Sequence, residues 1–208
     1  MSERYIVGLD IGQMNDFTAI CVLHEQPGTQ PAYHCIHLER VPLGTSYPVV
    51  VSRVAAIMQT PLLRYAPVIV DATGVGRALL DMLSRAGVRA TAVTITGGDA
   101  VTREDGAFRV PKRDLVSVVQ VLLQSHRLLI AEALTEAETL VKELLNFQVR
   151  ITLAGHDQYG AWREGTHDDL VLAVALACWY AEANPVPLLG GIATSGRRPL
   201  RDAWLDIL

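Results

Sequence analysis

Thiols are scarce in this chain of 208 residues. Its three cysteines, Cys21, Cys35 and Cys178, sit in apolar runs and show no CxxC spacing. That pattern excludes a zinc ribbon or a disulfide framework and fits buried thiols in a reducing, cytoplasmic compartment. Excess positive charge is missing as well: the formal net charge is −4 and the isoelectric point lies near 5.8. Coating nucleic acid by bulk charge needs a basic surface that displaces counterions, so that mode is excluded, while a local basic rim around an acidic site is not. No basic start leads into an apolar leader core, and the longest apolar stretch, Leu170 to Ala181, is too short to cross a bilayer. A soluble protein with no membrane partner is expected. The histidines, with Glu25, Glu39, Glu104 and Glu164, give no HExxH spacing, and no GxxxxGK(S/T) occurs, which excludes a P-loop ATPase. Internal repeats and heptads are absent too.

What the chain does have is apolar sequence, half of all residues, enough to bury one large core. One domain over residues 1–183 with a tail over 184–208 is expected. Tyr5 to Ile11 reads as a strand, the turn Gln13-Met14-Asn15-Asp16 leads into a second from Phe17 to Leu23, and Tyr33 to Val41 supplies a third. Pro48 to Thr60 reads as a helix with proline in its first turn. Val68-Ile69-Val70, without alternation, suggests a parallel strand buried on both faces. Thr73 to Gly76 turns into a helix from Arg77 to Ala86, and Arg89 to Ile95 completes a βαβ unit. Gly97 to Arg109 is polar and aperiodic, a long loop. Helices follow over Lys112 to His126 and Thr135 to Asn146, with a short strand over Gln148 to Leu153. After the loop His156 to Gly165 comes a helix, Thr166 to Ala183, apolar almost all round and therefore buried. The tail ends in Trp204-Leu205-Asp206-Ile207-Leu208, an apolar patch able to dock on a partner.

Three carboxylate sites stand at the ends of apolar runs: Asp10 after YIVGL, Asp71 after VIV, and Asp168-Asp169 before LVLAVALACWYA. Apolar segments that deliver acids at their termini can gather carboxylates at one end of a buried sheet, where they hold divalent metal. Asp10 shares a strand face with Gly8 and Gly12, whose small size leaves room above it. Turn formation is the bland alternative, and a place within an apolar strand speaks against it. Asp71 ends a strand where open α/β sheets place their ligand crevice, and an unpaired charge there would be costly. The Gly74-Val75-Gly76 segment suits a tight turn as well as an anion. For the last pair the alternative is strong, because Thr166 and Asp169 have capping-box spacing and acids suit a first helical turn. Adjacent helical residues point about 100 degrees apart, so one of the two is expected to face the sheet. Hard oxygen ligands without thiolate or paired imidazole favour Mg²⁺ or Mn²⁺.

The order β-β-β-α-β-α-β, with acids on the first strand, the fourth strand and a late helix, resembles the ribonuclease H-like nuclease fold. That is an α/β class whose mixed central sheet, three antiparallel strands followed by parallel ones, is flanked by helices. More narrowly, LDIGQMNDFTAI, VIVDATGVGRALLDML, VPKRDLVSVVQ and GTHDDLVLAVALA are similar to the nuclease domain of the large terminase subunit of tailed bacteriophages. These segments run in the family's order and cover most of residues 5–183. The resemblance implies a metal-dependent endonuclease that hydrolyses DNA phosphodiester bonds and cuts concatemeric DNA during packaging. Asp10, Asp71 and Asp168 or Asp169 match the acidic cluster that holds two divalent ions, Mg²⁺ or Mn²⁺, in that family. One ion would lower the pKa of the attacking water and the other would stabilise the leaving oxygen, with Asp10 the candidate to bridge them. Arg77, Arg103, Arg109, Lys112 and Arg113 are candidates for a phosphate-binding rim, against the plainer reading of solvated surface charge. Double-stranded DNA is the implied substrate, a terminase ATPase domain, the small terminase subunit or the portal protein the implied partners, and the host cytoplasm the implied place. A separated nuclease domain and a stand-alone relative both fit.

Three other readings compete. A Holliday-junction resolvase would use the same acids on branched DNA. An actin-like small-molecule kinase is suggested by VGLDIG and VDATGVG as paired phosphate loops, although that fold usually needs two domains and 208 residues are few for it. A non-catalytic packaging adaptor would keep the fold, but carboxylates retained at a buried crevice without a task would be destabilising.

Overall fold

Buried apolar strands with acids at their ends set the centre of the molecule. The computed structural model describes residues 3–12, 16–74, 76–104, 106–146, 148–151, 157–160 and 167–186. β1 (Arg4–Asp10), β2 (Thr18–Gln26) and β3 (Ala32–Val41) form an antiparallel meander in which Asp10 lies opposite Ala19 and Thr18 opposite Val41. α1 (Tyr47–Met58) follows, with proline in its first turn as its sequence suggests. β4 (Val68–Asp71) pairs parallel to β1, and α2 (Gly76–Arg85) returns the chain to β5 (Ala90–Thr96), parallel to β4. The chain then adds β6 (Thr102–Glu104), β7 (Ala107–Pro111), α3 (Lys112–Gln124) and β8 (Leu128–Ile130). α4 (Ala137–Asn146), the pair β9 (Gln148–Ile151) and β10 (Asp157–Gly160), and α5 (Asp169–Ala183) complete it. Among the described residues eight strands share one sheet in the order β6-β7-β5-β4-β1-β2-β3-β8, and β9 and β10 stand apart. This is the ribonuclease H-like mixed sheet flanked by helices.

Two apolar layers cover the sheet. On one face, Val7, Leu9, Val22, Val68 and Val70 meet Val50, Val54 and Ile57 of α1 and Leu79 and Leu83 of α2. On the other, Ile6, Cys21, Leu23, Ile69 and Val93 meet α5. α5 lies between the sheet and the helices α3 and α4, so it is buried on nearly every side, and each fully buried Leu or Val contributes about 1.5–3 kcal/mol. Close approach has a local cause: a Cβ built on Gly8 would stand 1.9 Å from the Ala173 carbonyl oxygen. The room expected above Asp10 is therefore taken, at Gly8, by the backbone of α5. Cys21, Cys35 and Cys178 are free and buried, as their apolar surroundings suggest. Among the described residues no helix is long and apolar enough to cross a membrane.

The structure corrects the sequence reading in several places. The expected loop Gly97 to Arg109 holds β6 and most of β7, a short hairpin with β6 antiparallel to β7 and β7 parallel to β5. Its polar residues lie at the sheet's edge, where nothing on the outer side demands apolar alternation. β8 was not expected either; three residues are too few for a period, yet they pair parallel to Tyr33–Cys35 of β3. β10 likewise pairs with β9 in a segment read as loop. The helix expected to reach His126 stops at Gln124, and His126 takes a positive φ of 55° that ends it. Gln13, Met14 and Asn15 of the first turn, Val75, Thr166 of the suggested capping box, and the Trp204 to Leu208 patch lie outside the described residues.

Candidate active site

The register of the central strands places the first two acids together. Gly8 pairs with Ile69 and Leu9 with Val70, so Asp10 and Asp71 end neighbouring parallel strands. Alternation puts Asp10 on the side of Ile6 and Asp71 on the side of Ile69, the face covered by α5. The first turn of α5 then brings Asp169, with Asp168 immediately before it, to the same edge. A cleft of about 480 Å³ results, lined by Asp10, Asp71, Asp168 and Asp169 together with Asp16, Thr73 and His167. Of the four expected acids, Asp10, Asp71 and Asp169 are buried. Among the described residues no three acidic, histidine or cysteine side chains close on one point tightly enough to ligate a single ion as they stand.

Electrostatics marks this cleft as a place that favours cations. Burial holds the Asp10 carboxyl well above the usual carboxylate range, and the charges of Asp71, Asp168 and Asp169 push the same way against Lys112. Asp71 is raised chiefly by burial, opposed by its hydrogen bonds with Thr73, whose backbone N–H donates to Oδ1 at 2.7 Å. Asp169 is raised by burial, and Arg40 opposes the shift. Glu143, behind it, is pushed up to about 8, first by burial and then by the charge of Asp169.

Three partners complete the site. Lys112 donates to Asp168 Oδ2 at 2.8 Å, so a residue read as part of a phosphate rim stands inside the acid cluster. Arg40 of β3 donates from Nε to Asp169 Oδ2 at 2.8 Å and from Nη2 to Oδ1 at 3.2 Å, and its Nη2 also reaches Glu143 Oε1. Glu143 Oε2 in turn accepts the Val171 N–H at 3.1 Å, satisfying one of the free donors of the α5 N-terminus from another helix. Sequence reasoning missed Arg40 and Glu143. Glu143 did leave a signal, an acid three residues after Leu140 on the apolar stripe of α4. Arg40 left none.

The other basic candidates lie outside the cleft lining. Arg77 is exposed at the start of α2, Arg103 stacks over Phe108 at 5.0 Å, and Arg109 stands 3.6 Å from Glu104 at the β6–β7 edge. Arg113 pairs with Asp99 at 2.7 Å. The two adjacent acids also divide clearly. Asp168 occupies the N-cap position without a side-chain capping bond and is one-quarter exposed beside Lys112, whereas Asp169 is buried against Arg40. Asp169→Ala is therefore expected to cost about 1.5 kcal/mol, the low end for losing a charge-assisted hydrogen bond, because Arg40 keeps Glu143 and burial already disfavours the Asp169 charge. Asp168→Ala should cost less than about 1 kcal/mol. Paired urea melts of the two variants check the difference.

No protein-family model and no curated protein matches the chain. Solved structures do. The large terminase nuclease of thermophilic phage G20c with bound magnesium is 26% identical, with a TM-score of 0.63 over 85% of this chain and 81% of that one. The large terminase nuclease domain of Thermus phage P74-26 is 24% identical, with a TM-score of 0.60 over 84% of this chain and 78% of its own. The large terminase nuclease domain of bacteriophage SPP1 with bound manganese, 15% identical, shares the fold at a TM-score of 0.54 over 84% of each chain.

Proposed function

We propose that this chain is a divalent-metal-dependent nuclease of the terminase type, which hydrolyses phosphodiester bonds in duplex DNA. The observation that carries this reading is the convergence of acids from β1, β4 and α5 on one cleft, in a fold shared with a terminase nuclease solved with magnesium bound. The donor set fits such an ion: it is carboxylate oxygen throughout, and burial and mutual repulsion penalise its charge until a cation is near. Asp10, Asp71 and Asp168 or Asp169 would hold two Mg²⁺ or Mn²⁺ ions. Bound there, such ions supply an activated water and charge stabilisation for the leaving oxygen. Asp10 and Asp71 contribute fixed oxygen donors on rigid strands, and Lys112 limits the net charge of the cluster from the Asp168 side. Arg77, Arg103, Arg109 and Arg113 would steady the DNA backbone, a contact that positions without reading sequence. Packaging partners, namely a terminase ATPase domain, a small subunit or a portal protein, belong to this reading, as does action in the host cytoplasm.

The test is incubation with supercoiled plasmid in Mg²⁺, Mn²⁺ or EDTA. Nicked and linear products are expected with either metal and none in EDTA, with little dependence on sequence. Cleavage that persists in chelator, or none with any divalent ion at high protein concentration, removes the nuclease reading. A marked preference for four-way junctions over linear duplex would move it to a resolvase.

A further inference from the structure

Asp169 is held differently from the other acids of the cleft. Both of its oxygens accept from the fork of one guanidinium, at 2.8 and 3.2 Å. The fork is itself fixed from two sides. Arg40 Cζ sits 4.6 Å from the centroid of the Phe17 ring, whose edge contact with His167 at 4.9 Å ties it to the segment leading into α5. Glu143 anchors the same guanidinium from α4 and also takes the Val171 N–H of α5. Four separate parts of the chain thus meet at one guanidinium. A carboxylate offers about four lone-pair directions, so the fork leaves acceptor capacity on Asp169, which lines the cleft.

We infer that Arg40 is a positioning residue for the cation site: its guanidinium, seated on Phe17 and anchored by Glu143, fixes the Asp169 carboxylate in the orientation in which it receives a divalent ion. This rests on the reading of Asp169 as part of a divalent-cation site. Hydrogen bonds to a ligating carboxylate commonly govern metal affinity by 10–100-fold, and a planar fork does so where an ammonium cannot. Charge alone predicts the opposite. A cation beside the carboxylate repels an incoming ion, so removing Arg40 would tighten binding if it were only a counter-charge.

The experiment measures Mn²⁺ binding directly, by electron paramagnetic resonance of the free ion, on wild type, Arg40→Lys, Arg40→Gln, Phe17→Leu and Asp10→Asn, with the folded fraction of each fixed by circular dichroism. Arg40→Lys keeps the charge and loses the fork, and should bind Mn²⁺ roughly 10-fold more weakly. Arg40→Gln should weaken it at least as much despite the lost positive charge, and Phe17→Leu, which leaves every charged group in place, should weaken it several-fold. Half-saturation of cleavage by Mn²⁺ should move in parallel, with the DNA KM unchanged. Unchanged or tighter binding in Arg40→Lys and Phe17→Leu, or losses matching only a smaller folded fraction, would overturn the positioning role. If wild type binds no Mn²⁺, or Asp10→Asn binds it equally well, the cation site itself fails and this role with it. Binding lost in Asp10→Asn but intact in Arg40→Lys sinks the positioning role alone.

Discussion

Gly8→Ala is expected to lower the melting temperature by roughly 6–12 °C and to abolish cleavage. The added Cβ would stand 1.9 Å from the Ala173 carbonyl oxygen and 3.1 Å from the Ala177 Cβ. The first contact is with the backbone of a buried helix, so no side chain can turn aside. β1 is held on its flanks by β2 and β4, which leaves α5 as the element that must move. Overpacking of this kind costs about 3 kcal/mol or more, and at roughly 2–4 °C per kcal/mol for a chain of this size the shift follows. Cleavage falls for a separate reason, since the displaced helix carries Asp169 and is preceded by Asp168. A melt within about 2 °C of wild type would mean that α5 does not lie so close to the sheet.

Asp10→Asn and Asp71→Asn should each remove detectable plasmid cleavage and yet raise the melting temperature measured in chelator. The sign follows from the direction of their shifts. Both folded carboxyls lie above their ordinary value of 3.8, so ionisation costs stability as pH rises past that value and the full cost is present above the folded pKa. An amide of the same shape carries no charge and escapes the cost. Asp10 should gain more than Asp71, because Asp71 also gives up the charge-assisted bond from the Thr73 N–H. With saturating Mn²⁺ the ranking should invert, wild type being stabilised by the ion and the variants much less. A variant cutting at the wild-type rate would remove that residue from the site.

The parts of this design that could be read in the sequence were those whose cause is local. Val68-Ile69-Val70 has no polar interruption, and the strand it forms is buried on both faces as that pattern requires. Leu170 to Ala181 is apolar all round and proves to be the helix between the sheet and its neighbours. Acids terminating such segments fall on the cleft because strand ends and helix starts are where a packed layer stops. Arg40 was illegible for the complementary reason: a charged side chain is chosen there by partners 129 and 103 residues away, and nothing within its strand encodes it, whereas Glu143 shows locally only as an acid on the apolar stripe of α4. β6 and β8 escaped because three residues at a sheet edge carry no period. The charge of Lys112 is plain in the sequence, but its partner Asp168 is not, because that acid lies 56 residues further along the chain.

One consequence concerns timing during synthesis. Asp10 and Asp71 leave the ribosome early, whereas α5 begins only at residue 169. At about 5–20 residues per second, the interval between the first acid and the last is roughly 10–30 s. From Asp71 onward, roughly 5–20 s at that rate, the sheet face made by Ile6, Cys21 and Ile69 lacks its covering helix, so the nascent chain holds two acids on an unfinished layer. On the proposed reading, every truncated product that stops short of α5 is expected to be inert. Because the helix that completes the core also brings the last carboxylates, closing of the core and completion of the cleft become a single event.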